Sequence, residues 1–146
     1  MARVDPIGFV ILDMRANAPD VVALLPDANR IQGNELRTAA PAVLVGVLGD
    51  RPSISAPRSP VRDMVLAFRC YAPKSPTGDI AARALGLAVG EYLHQRGPRV
   101  SASGVGIYIS IEQNTTEPIP DPITGDPMVL VTVGFKTSSV ALSRPI

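Results

Sequence analysis

Apolar residues along the chain gather in stretches separated by proline and glycine breaks, and the spacing within each stretch predicts an element. Asp5 before Pro6 reads as a helix start, because a short acidic side chain caps free N–H groups and proline fits the first turn. The apolar stretch Ile7, Phe9, Val10, Ile11, Leu12 and Met14 then predicts a helix to about Arg15. Pro19 and Asp20 restart a short helical turn through Val21, Val22, Leu24 and Leu25, which Pro26 ends for want of an amide hydrogen. The run PAVLVGVLG at 41–49 predicts a buried strand, bounded by Pro41 before and Gly49, Asp50 after. In the next strand Val61, Asp63, Val65, Ala67, Arg69 and Tyr71 alternate with Arg62, Met64, Leu66, Phe68 and Cys70, and the second set is predicted to face the core. Between these strands lies DRPSISAPRSP at 50–60, with three prolines, three serines and two arginines. Such a segment has too little apolar content to pack inside, so it is expected to project from an extended antiparallel hairpin.

Residues 79–96 predict the main helix, with Ala81, Leu85, Ala88 and Tyr92 on one stripe, widened by Ile80, Ala84, Leu87, Val89 and Leu93. A second stripe of Arg83, Gly86, Gly90 and His94 is expected to let a neighbouring element approach closely, and Gly97 with Pro98 reads as the helix stop. Two later strands, near 105–113 and 127–140, are separated by a proline-rich loop and expected to pair. The expectation is one α+β domain over 1–146, an antiparallel sheet of about four strands with helices packed on one face.

Composition narrows the function classes. The chain has 146 residues with 46% hydrophobic and 18% charged, which is the range of a folded domain rather than a disordered segment. Fourteen Lys and Arg against 13 Asp and Glu, a net charge of +1, provide no broad basic surface, and aromatics at 4% are too few for base-stacking platforms. A nucleic-acid binder is therefore disfavoured. One cysteine makes neither an internal disulfide nor a zinc site. The longest uncharged runs, such as Val100 to Ile111, are short of a membrane span, and no cationic leader precedes the first apolar stretch, so the cytoplasm is the expected compartment.

The candidates for chemistry each have a plainer explanation. Cys70 and His94 are the one possible thiol and imidazole couple, but Cys70 lies on the inward phase of a strand and His94 in the last turn of a helix, where it suits the helix dipole. The glycines of 101–106 lack the P-loop lysine and lead into a strand, and Asn114, Thr115 and Thr116 match a glycosylation acceptor by chance. Asp121 and Asp126 flank Thr124 and Gly125 without the spaced ligands of a calcium loop, so a hairpin turn is the better reading. Arg51 and Arg58 are placed to clamp an anion on a partner, though loop arginines are commonly just solvated. No nucleophile, base and orienter set emerges, so no catalytic residue, metal or cofactor is expected.

The order of these signals resembles a known family. ALLPDANRI at 23–31, a strand after Pro41, a strand ending in Arg69, Cys70 and Tyr71, an alanine-rich helix, and above all DPITGDPMVLVTVGF at 121–135 are similar to the tail terminator proteins of long-tailed bacteriophages, over nearly the whole chain. The segment at 50–60 departs from that pattern. The resemblance implies a structural protein of the virion, assembled in the host cytoplasm. Six copies would form a ring at the head-proximal end of the tail tube, stop its growth and present a surface to the neck. The implied partners are other copies of the chain, the tail tube protein and a neck or connector protein, with no membrane. Genome DNA would pass through a lumen that does not hold it. The loops at 50–60 and 114–127, with Asp50, Arg51, Arg58, Asp121 and Asp126, are the expected contacts. The rival readings are a head-to-tail connector or stopper of the neck and a small cytoplasmic enzyme using Cys70 and His94.

Overall fold

The computed structural model describes residues 6–33, 39–52, 61–94, 96–100 and 107–138. Helix α1 spans Pro6–Asn17 and α2 spans Pro19–Val22, split at Ala18 where Pro19 enters the first turn of the second helix. Asp5, the expected cap of α1, lies outside the described residues. A 3-10 turn at Ala28–Arg30 follows, capped by Asp27, whose carboxylate accepts from the Asn29 amide at 2.8 Å. The remaining elements are β1 (Ile31–Gly33), β2 (Ala42–Pro52), β3 (Val61–Tyr71), α3 (Gly78–Leu93), β4 (Arg96–Val100), β5 (Ile107–Thr115), β6 (Ile119–Pro120) and β7 (Pro127–Ser138).

The sheet runs β1-β2-β3-β7-β5-β4, with β6 also on β7. Every pairing is antiparallel except that of β1 with β2. The α+β class stands, but the sheet has seven strands among the described residues, where about four were expected. The additional ones, β1, β4 and β6, are short and gain their definition from the neighbour they pair with rather than from apolar content of their own. Gly97 and Pro98 belong to β4 and do not stop the helix, which ends at Leu93 with His94 as its cap. The first hairpin is longer than expected too. Pairing continues past a bulge at Val47/Gly49, so Asp50, Arg51 and Pro52 stand opposite Met64, Asp63 and Arg62 in β2 and do not begin a loop. Residues 53–60, the rest of the expected projecting segment with Arg58, lie outside the described residues.

The inward phase of β3 is as the alternation predicts, for Met64, Leu66, Phe68 and Cys70 are all buried. They join Val43 and Val45 of β2 and Val129, Val131, Val133 and Phe135 of β7 in one cluster, with Val10, Met14, Val21, Leu85, Val89 and Leu93 from the three helices. Each such side chain contributes roughly 1.5–3 kcal/mol by leaving water. The orientation of α3 differs from the predicted stripe. Ala82, Gly86 and Gly90 are buried with Leu85 and Val89, whereas Ile80, Ala81, Ala84 and Leu87 face outward. The glycines explain it: a Cβ on Gly86 would stand 2.5 Å from Val129 Cγ1, and one on Gly90 would collide with the Glu112 carboxylate. The helix thus meets the sheet along its smallest residues, as the second stripe suggested, and the close approach rotates the bulkier ones away.

Candidate assembly surface

On the sheet face opposite the helices, strand register lines up small residues across four strands. Gly49, Val65, Gly134 and Ile111 form one transverse row, and Gly46, Ala67, Thr132 and Asn114 the next. The first row, with its two glycines, is the floor of a cavity of about 640 Å³ walled by Asp63, Lys136 and Gln113. Lys136 and Asp63, directly opposite each other on β7 and β3, are bridged at 2.9 Å. Asp50 and Arg62 are joined at 2.6 Å near the end of the hairpin. Both pairs are partly exposed and worth little as stability, about 0–1 kcal/mol; the first holds the charges of the trough wall in place, and the second lies on the Met64 side of the hairpin. Beside the trough β1 covers β2 only at Val43 to Val45, and Val47 and Leu48, at the bulge, are 45% and 56% exposed.

The second feature is the turn between β6 and β7. The Asp121 amide donates to the Asp126 carbonyl at 2.8 Å, and the Gly125 amide to the Asp121 carbonyl at 2.9 Å. The buried Asp121 carboxylate accepts from the Thr124 amide at 3.0 Å and the Thr124 hydroxyl at 2.8 Å. Gly125 takes a φ of +74°, a conformation that L side chains rarely adopt. These bonds set a rigid turn whose apex residue, Ile123, is 84% exposed.

The residues singled out from the sequence are dispersed by this fold. Asp50 and Arg51 are in β2, Arg58 is outside the described residues, and Asp121 and Asp126 close the turn. Asp121 is turned inward and engaged with Thr124, and the turn presents the apolar Ile123 at its apex. Cys70 is buried in the core, its Sγ 3.7 Å from the Phe68 carbonyl, and burial pushes its thiol far above the usual range. His94 stands at the exposed end of α3, its amide donating to the Gly90 carbonyl at 2.8 Å. No cluster of His, Cys, Asp and Glu among the described residues has the makings of a metal site. No described helix is long and apolar enough to cross a membrane. The trough itself was not foreseen, although its signal was present: glycines at 49 and 134 in strand segments mark a close approach of another group. No protein-family model and no curated protein matches the chain.

Proposed function

We propose that this protein is a structural ring subunit of a long-tailed bacteriophage, which closes the head-proximal end of the tail tube, stops its growth and offers the surface that joins the neck. A cyclic ring larger than a dimer uses a heterologous contact, in which two unlike surfaces of one chain match. The observation that carries the reading is the trough, a preformed depression across four strands with an apolar and glycine floor between fixed charges. Its complement must protrude and be rigid. Ile123 has that form, on a pinned turn preceding β7, whereas the trough lies toward the other end of that strand at Gly134. In the proposed ring, of six copies, the turn of one copy enters the trough of the next, and the hairpin of β2 and β3 faces the tube or neck. The near-neutral net charge suits a lumen through which DNA moves without being held.

The test is native mass measurement of the purified protein, alone and mixed with tail tube subunits. A ring that forms alone or on the tube tip, and that blocks further tube growth, is the expected result. Binding to the portal side without effect on tube growth would instead identify a neck stopper, and no association with either partner would overturn the proposal.

A further inference from the structure

We propose that Gln113 is the polar contact by which the trough recognises the entering turn, its side-chain amide donating to the peptide backbone at Pro122 and Ile123 of the next copy; this rests on the ring reading above. Three features of the sheet converge on this one side chain. Gln113 is the extra residue of a bulge in β5, for Glu112 pairs with Val133 and Asn114 with Thr132, and nothing on β7 stands opposite Gln113. A bulge re-aims a side chain, and here it brings the amide onto the outer face and into the trough wall. The second feature is Gly134, over which that amide lies: a Cβ at 134 would stand 2.6 Å from Gln113 Nε2, so the side chain rests where only a glycine leaves room. Glycine weakens a strand and a bulge interrupts its ladder. Both costs fall beside an amide that, as the third feature, makes no hydrogen bond among the described residues.

The turn presents the matching groups. Its internal bonds use Asp121, Thr124, Gly125 and Asp126, whereas Pro122 and Ile123 are exposed and make no hydrogen bond among the described residues. Their carbonyls are therefore open acceptors at the apex. Burial of the Ile123 side chain in the trough is non-directional and takes these carbonyls out of water, where an acceptor left without a donor is costly. Lys136 on the same wall is engaged with Asp63. Gln113 supplies a donor that carries no charge, so meeting the carbonyl does not require an ion to be desolvated. Apolar insertion then provides the attraction and the amide fixes how deep and in what register the turn sits.

Sedimentation of the full chain over a range of concentrations, alone and with tail tube subunits, reads this contact. Gln113→Met keeps the length of the side chain and removes the amide. It should raise the concentration at which half the subunits are assembled about three- to tenfold, with an unchanged circular dichroism melt. Gly134→Ala should weaken assembly similarly while the melt is unchanged or slightly raised, because the new Cβ moves the flexible amide aside at little cost to the strand. On a Gln113→Ala background Gly134→Ala should add no further loss, since the glycine acts through the amide. If wild type assembles and Gly49→Trp abolishes assembly while Gln113→Met does not weaken it, or if the losses from Gln113→Ala and Gly134→Ala simply add, this assignment is overturned and the ring reading stands. Wild type that assembles under neither condition would overturn both.

Discussion

Cys70 sits where a thiolate has no solvation, and this has a consequence for stability. The thiol keeps its proton in the folded chain well above the usual range, whereas in the unfolded chain it ionises near pH 8.5. A folded-state pKa raised in this way contributes stability that is fully present below that pH and is lost as pH rises above it. The loss amounts to as much as about 1.4 kcal/mol per pH unit. Urea denaturation at pH 8 and pH 10 should show wild type losing roughly 2 kcal/mol more than Cys70→Ala, and equal losses in the two proteins would contradict this placement. Gly86 makes a second test at the scale of one residue. Alanine is worth about 1 kcal/mol more than glycine inside a helix, but its Cβ would enter Val129, and overpacking costs about 1–3 kcal/mol. Gly86→Ala should therefore be net destabilising by roughly 1 kcal/mol in a denaturant titration. Gly49→Ala, whose new Cβ meets nothing within 4 Å, should leave stability unchanged or slightly raised.

Among the elements, the turn before β7 depends on one buried carboxylate. Asp121→Ala removes the acceptor of two hydrogen bonds from Thr124 and should cost about 1.5–3 kcal/mol, read from the denaturant midpoint. A change within about 0.5 kcal/mol, the usual range for an unconstrained surface position, would mean that the turn holds its shape by other means. The anchoring of α1 is smaller in scale: Tyr92 donates to Asp13 at 2.7 Å, joining α3 to α1, and Tyr92→Phe should cost about 1 kcal/mol.

The elements readable in the sequence were those whose burial is written in alternating or clustered side chains. β3 was legible in its bounds and in its buried set Met64, Leu66, Phe68 and Cys70, although Ala67 and Tyr71 of the other set are buried too, and β5 and β7 were placed to within a few residues. The position of α3 was legible but its rotation was not. Hydrophobic stripes rank side chains by size and polarity, while Gly86 and Gly90 are buried by how closely Val129 and Glu112 approach. β4 was hidden for another reason: the segment RGPRV has one β-forming residue and is a strand through its pairing with β5. The trough was illegible as a site, because register between four strands far apart in sequence assembles it, even though its glycines marked unusual strand positions.

For the whole molecule, the described surface has two features of unlike shape, a trough and a rigid protruding turn, which a heterologous ring needs. Gly49→Trp places an indole in open space on the trough floor. It should leave the subunit folded while abolishing the proposed ring closure and tube capping, as judged by a native mass spectrum and tube length together. Ile123→Asp should fail in the same way from the other side of the contact. The most direct measurement of the central claim is electron microscopy of phage tails assembled with and without this protein. Tubes of uniform length are expected when it is present, and overlong tubes that do not join heads when it is absent. Tails of normal length in its absence would contradict it.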